Sequence, residues 1–363
     1  MLSYIIWNFN PDIFSIPGTD YAPRWYGVLF ALGFILSQQV MFHIFKKEGR
    51  SEKDVDKLTT YMVIAVIAGA RLGHCLFYDP VYFLSHPLEI LMVWKGGLAS
   101  HGGAIGMLIA LYLFAKKLNY KFLWILDRIV IVGMLCAALI RTGNLFNSEM
   151  EGVETNSNTG IIYARATHDV LNYDKSKIES VSFKKGGQKV SDKPGVVPIT
   201  AVIEYKRGIR LELADKQFIE NNLRGSLKGY TEVVEHVDFG SGALSYTIQE
   251  SRGRQIVEIY GLGTVRHAAQ MYEATYAFIL MLVLFWLWQK KRDVLPRGFN
   301  FAFMMIVFWS LRFADEFFKM NQEAFEEDLA LNMGQILSIP LTLAGVATMI
   351  LIFRSGKKMS EFN

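Results

Sequence analysis

Seven stretches of this chain are long and apolar enough to cross a bilayer, and no other feature limits its possible folds as strongly. A membrane-spanning helix needs about 17 to 25 predominantly apolar residues. Such stretches lie at 26–45, 59–78, 97–115, 122–145, 273–289, 299–318 and 334–353. Composition agrees: 52% of the 363 residues are hydrophobic, too many for a soluble domain of this length. The opening "MLSYIIWNFNPDIF" has no basic leader region and no small-residue cleavage signal, so the first span is expected to direct insertion itself.

The connecting segments alternate in basic content. "KKEGRSEKDVDK", "KKLNYK", "QKKRDVLPR" and the C-terminal "RSGKK" are basic, "DPVYFLSHPLEILMVWK" is nearly devoid of basic residues, and "KMNQEAFEEDLALN" is acidic. Cytoplasmic loops carry the excess of Lys and Arg. One orientation satisfies every short loop: N-terminus outside, C-terminus in the cytoplasm. The expected fold class is therefore an all-α polytopic membrane protein with seven transmembrane helices.

The same alternation places residues 146–266 outside, between helices four and five. Within them "VVPITAVIEYKR", "IRLELA", "ALSYTIQES" and "QIVEIYGL" are short, rich in Val, Ile, Tyr and Thr, and separated by Gly-containing turns. A small, mostly β extracytoplasmic head is expected. The chain thus divides into a membrane part at 1–145, the head insertion at 146–266 and a second membrane part at 267–363. The net charge of +4 falls in short clusters, which membrane topology explains and which speaks against nucleic acid as a partner. Cys75 and Cys136 both lie in apolar runs as packed side chains, suggesting neither a disulfide framework nor a metal site.

Ionisable groups inside spans cost about 2.5 to 3.5 kcal/mol each at a helix centre and usually line a cavity or pair with one another. Arg71 and His74 lie in "GARLGHCLFY", His101 in "GGLASHGGAIG", Asp127, Arg128 and Arg141 in span four, and Arg312 and Glu316 in "LRFADEFFK". Arg312 and Glu316 share a helix face as a potential ion pair. Arg71 and Arg141 have no acid at helical spacing within their spans. If these three arginines converge, they exceed what Glu316 neutralises and favour an anion, of which phospholipid head groups are the most abundant in a membrane. Gly69 and Gly73, and Gly102 and Gly106, have the spacing that lets helices approach closely. Neither stretch has the lysine and hydroxyl of a nucleotide-phosphate loop. On these residues alone, an anion transporter or channel, a lipid-modifying enzyme and a phospholipid-binding scaffold all remain open.

"RTGNLFNSEMEG", at 141–152, narrows the choice. An arginine, Gly-Asn, an aromatic, Asn, Glu and a closing Gly stand here as Arg141, Gly143, Asn144, Phe146, Asn147, Glu149 and Gly152. With "RWYG" containing Tyr26, "GARLG" with Arg71, "HGGAIG" with His101, "RHAAQMYE", "LRFADEFFK" and "MGQILSIP" in the same order, the chain resembles the phosphatidylglycerol:prolipoprotein diacylglyceryl transferases of bacterial inner membranes. Two features depart from the family pattern. The outside insertion is longer than usual, and Ala268, Ala269 and Lys319 stand where Pro, Ser and Arg are common; Lys319 keeps the charge but loses the guanidinium fork.

The resemblance implies transfer of the diacylglyceryl group of phosphatidylglycerol to the thiol of a preprolipoprotein lipobox cysteine. The products are a thioether and glycerol 1-phosphate, and no cofactor or metal is implied. The nucleophile then belongs to the substrate. A thiol of pKa about 8.5 needs a base or nearby positive charge to become a thiolate. His101 is expected either as that base or as a hydrogen-bond partner of the lipid, with Arg141 and Arg312 holding the phosphate and Glu316 orienting Arg312. Tyr26, Arg71, Asn144, Asn147, Glu149, Gly102, Gly103 and Gly152 are expected to bind substrate, Gly152 chiefly through a backbone requirement. Membrane lipids and the lipobox peptide are the expected partners.

Overall fold

In a computed structural model of the protein, residues 4–19, 22–93, 96–97, 99–189, 191–321, 326, 329–355 and 358–359 are described. Parts of the expected acidic stretch after Lys319 and of the basic C-terminal end lie outside the described residues. The chain forms two compact units, one of residues 28–141, 273–314 and 330–363, and one of residues 1–27, 142–272 and 315–329.

The first, helical unit contains most of the long helices. Among the described residues five helices are long and apolar enough to cross a membrane: Trp25–Lys47, Glu52–Phe77, Phe122–Phe146, Ala269–Lys291 and Met333–Ser355. The two other expected spans coincide with helices Ser100–Lys117, of 18 residues, and Phe299–Asp315, of 17, the latter extended by a 3-10 turn over Glu316–Phe318. Helix ends follow the charges: Lys46 and Lys47, Lys116 and Lys117, and Lys290 and Lys291 occupy the last turns of their helices, where cations complement the macrodipole. Met333–Ser355 begins with a reciprocal cap. The Gln335 N–H donates to the Asn332 side chain at 2.9 Å, and the Asn332 N–H donates to the Gln335 side chain at 3.2 Å.

Helices Glu52–Phe77 and Ser100–Lys117 meet through glycine. A Cβ added at Gly73 would stand 2.7 Å from Gly102 Cα, and one added at Gly106 would stand 2.5 Å from the Ala65 carbonyl oxygen. Gly103 faces the Ala70 methyl in ordinary contact. The two G-x-x-x-G spacings are thus a backbone crossing that side chains would prop apart. Gly102→Val is expected to destabilise the helical unit by about 1 to 3 kcal/mol or more through overpacking. Gly133→Ala, where an added Cβ meets nothing within 4 Å, should be neutral or mildly stabilising because alanine is the better helix former. Thermal unfolding in micelles compares the two; equal midpoints would contradict the crossing.

A buried polar cluster ties five segments of this unit. Arg128 is fully buried, its guanidinium 4.2 Å over the Trp124 ring and 2.8 Å from Glu48, with a further bond to the Met359 carbonyl at 3.1 Å. The Trp288 indole N–H also donates to Glu48. Asp127, equally buried, accepts the backbone N–H groups of Gly298 at 2.6 Å and Phe301 at 3.1 Å, so it caps the start of the Phe299 helix. Both ionisable residues near the start of span four are therefore consumed by packing.

The second unit is the head. Its strands are β1 (Tyr4–Trp7), β2 (Gly160–Tyr163), β3 (Ile178–Lys185), β4 (Val196–Tyr205), β5 (Val237–Asp238), β6 (Tyr246–Ser251) and β7 (Arg254–Thr264). An antiparallel sheet runs β3-β4-β7-β5, with β6 also on β7. β1 pairs parallel with β2, Tyr4 against Gly160, and the buried Tyr4 hydroxyl donates to the Pro198 carbonyl at 2.9 Å. Three of the four expected strand segments coincide with β4, β6 and β7. "IRLELA" does not: its end enters the helix Leu213–Phe218, whose start is fixed by the Asp215 carboxylate accepting the Glu212 N–H at 2.9 Å. Local capping there outweighs the apolar alternation. Helices Arg165–Leu171, Arg224–Gly229 and Thr231–Val234 add to it, so the head is a mixed sheet-and-helix body.

Candidate active site

In the helical unit, Arg141 and Arg312 meet on one acid. Glu273, near the start of the Ala269–Lys291 helix, takes Arg141 Nε on Oε1 at 2.8 Å and Arg312 Nη1 on Oε2 at 3.1 Å. Both arginine side chains are 16% exposed and the Glu273 side chain 6%. One carboxylate between two guanidiniums leaves these three groups with a formal surplus of one positive charge, in surroundings that screen poorly. Glu273 closes the stretch "RHAAQMYE", whose motif alone gives it no role. The signal that points to it is an acid opening an apolar helix in a chain with arginines lacking acids at helical spacing.

Arg71 is buried and spends its donors on backbone. Nε donates to the Ile90 carbonyl at 3.0 Å, Nη2 to that of Glu89 at 2.6 Å, and Nη1 to those of Gly96 and Gly97. Its planar fork fastens the two ends of the segment that follows the short helices Pro80–Ser85 and Pro87–Ile90. His101 lies in the first turn of the Ser100–Lys117 helix with its side chain exposed, and among the described residues no side chain holds its ring. Gly102 and Gly103, next to it, serve the glycine crossing.

In the head unit the signature loop folds on itself. Asn144, at the end of the Phe122–Phe146 helix, donates from Nδ2 to Glu149 Oε2 at 3.2 Å, and Asn147 donates to Glu149 Oε1 at 3.1 Å. The turn between them needs Ser148 at φ 52° and Met150 at φ 59°, a left-handed conformation seldom adopted by residues with side chains. Gln270 donates to the Glu149 carbonyl at 2.6 Å and accepts from the Tyr163 hydroxyl at 2.9 Å. Burial raises the Tyr163 pKa above its ordinary value, so the phenol stays a donor.

Two glycines of the signature admit close neighbours. A Cβ on Gly143 would stand 3.1 Å from Tyr26 Cα, and one on Gly152 would stand 2.6 Å from His267 Cβ. The strand-like run after Glu149 is bonded on both sides: Val153 N–H to the Phe318 carbonyl at 2.9 Å, and His267 N–H to the Val153 carbonyl at 3.0 Å. Lys319, beside Phe318, bridges Gly152 through backbone and holds Glu316 by its ammonium at 3.4 Å, a single contact where a guanidinium could make two. Burial lowers the pKa of the His267 imidazole, favouring its neutral form, and Nδ1 lies 3.1 Å from the Tyr272 hydroxyl.

The chemistry available from these residues is anion binding by paired guanidiniums, plus amide, hydroxyl and imidazole groups suited to a polar head. Among the described residues no group of three or more His, Cys, Asp and Glu is arranged to hold a metal ion.

Comparison with known proteins follows the same line. Residues 11–351 match the family model described as "Prolipoprotein diacylglyceryl transferase". A phosphatidylglycerol--prolipoprotein diacylglyceryl transferase of Chloroherpeton thalassium is 32% identical over 360 residues, 98% of this chain and 96% of its own length. Proteins of the same name from Tolumonas auensis and Bacteroides fragilis are each 30% identical, over 348 residues (96% of this chain, 97% of the relative) and 372 residues (99% and 98%) respectively.

Proposed function

Because the chain belongs to the prolipoprotein diacylglyceryl transferase family, we propose that it transfers the sn-1,2-diacylglyceryl group of phosphatidylglycerol to the lipobox cysteine of preprolipoproteins, the first step of lipoprotein maturation. The observation that carries the reading furthest is the pair of guanidiniums on Glu273. In the reaction, the cysteine thiolate attacks the glyceryl carbon bonded to the phosphoester oxygen. The S–C bond forms, the C–O bond breaks, and its electron pair leaves on glycerol 1-phosphate, while the thiol proton passes to a base or to water. Negative charge accumulates on the departing phosphate oxygen, where fixed cations contribute most. Arg141 and Arg312 hold that phosphate, Glu316 orients Arg312, and Tyr26, Asn144, Asn147 and Glu149 serve the glycerol and phosphate groups. Gly102, Gly103, Gly152 and Arg71 act through backbone placement.

His101 is assigned a hydrogen bond to the lipid, since a committed general base is normally oriented by a third group. His101→Gln is then expected to keep more than a tenth of the transfer rate. A loss of about 10²-fold or more, the range of general acid–base catalysis, would return His101 to the role of base. The reaction itself is tested with phosphatidylglycerol and lipobox peptides carrying Cys or Ser. Release of glycerol phosphate with the Cys peptide only is expected; none from folded protein refutes the reading.

We further read the seven expected helices as seven spans of the bacterial inner membrane, with the N-terminus and the 146–266 head outside and the C-terminus in the cytoplasm. The Lys pairs that close helices one, three and five support that orientation.

A further inference from the structure

The signature loop is braced by residues of the insertion itself. His236 stands immediately before β5, which is registered on β7 through Val237 opposite Gly263, and the Thr264 N–H donates to the His236 carbonyl at 2.9 Å. This register sets the imidazole beside Arg266, two residues past the end of β7. Arg266 Nε donates to His236 Nδ1 at 3.1 Å, so the ring's own proton sits on Nε2, which is 3.0 Å from Glu151 Oε2. His236 and Glu151 are 8% and 12% exposed, and the Tyr163 ring lies 5.8 Å from the imidazole. The remaining Arg266 donors go to the Glu235 carbonyl at 3.1 Å, the Met320 sulfur at 2.9 Å and the Gly152 carbonyl at 3.4 Å. The Glu151 carbonyl in turn accepts the Met320 N–H at 3.0 Å. A carboxylate this enclosed needs its donor, because an unpartnered buried charge is costly.

We propose that His236 is a positioning residue for the transfer reaction: through Glu151 it holds the signature loop in register. The insertion thereby acts on the loop that carries Asn147 and Glu149, in addition to any contact with the acceptor protein. The proposal rests on the transferase reading only for its kinetic consequence.

The test uses the full chain in phosphatidylglycerol-containing micelles, with His236→Leu, which removes donor and acceptor, and His236→Gln, which supplies both. Hydrogen exchange of residues 150–156 is measured beside kcat and the KM for a lipobox peptide. His236→Leu is expected to speed exchange there about tenfold or more, as losing a hydrogen bond to a charged group implies. It should also lower kcat by a similar factor, while His236→Gln keeps both within about threefold of wild type. Unchanged exchange in His236→Leu, or equal damage in both variants, overturns the proposal. If His236→Leu fails to fold, Glu151→Leu removes the acceptor and breaks the same bridge from the other side, and unchanged exchange in it is equally decisive. A wild type without transfer activity would refute the reaction and leave the exchange comparison to judge the bridge.

Discussion

Arg141→Ala is expected to lose transfer by about 10²–10³-fold, the usual cost of removing one fixed group that stabilises charge developing in a transition state. With Arg141 gone, one of the two guanidiniums held on Glu273 is missing, and with it one fixed positive charge. Arg141→Lys should recover part of the rate, since it restores the charge without the planar fork. The loss should fall on kcat more than on the apparent affinity for lipid, because the charge to be stabilised grows as the C–O bond breaks. Glycerol phosphate release, normalised to folded protein, measures it. More than a tenth of wild-type turnover in Arg141→Ala would remove this residue from the leaving-group site.

The second large effect is on stability. Arg128→Leu leaves Glu48 buried with only the Trp288 indole as a donor among its described partners, and it leaves the Met359 carbonyl without the guanidinium. Breaking a buried ion pair from one side costs about 3–5 kcal/mol. The double variant Arg128→Leu, Glu48→Leu should regain much of that loss, because removing both charges removes the desolvation penalty as well. Denaturant titration in micelles distinguishes the cases; a single variant within about 1 kcal/mol of wild type would mean the cluster contributes little.

Length and apolar content made the long helices legible, and the Lys pairs that end three of them mark where those helices stop. β4, β6 and β7 were readable because β-branched alternation is local. What escaped the sequence is what depends on distant partners. Arg71 looked like a spare cation because spacing shows side-chain acids only, whereas its partners are backbone carbonyls 18 to 26 residues away. Spacing offers Glu316, four residues on, as a mate for Arg312, and gives no sign of Glu273, 39 residues back, which takes its guanidinium. The same holds in the head, where His236 lies in a stretch with no recognisable motif. Its importance depends on the β5–β7 register, which brings it to Arg266 and so to Glu151.

The pairing of β1 with β2 has a consequence for biogenesis. The strand partner of β1 begins only at Gly160 and the Tyr4 hydroxyl bonds a carbonyl 194 residues along the chain, so this strand has no partner until the helices up to Phe146 and the first part of the head have left the ribosome. Contacts that close so long a loop form late. The N-terminal arm is therefore a finishing latch of the head. A bulky fusion placed at that end should slow completion of the fold more than the same fusion placed at the C-terminal end.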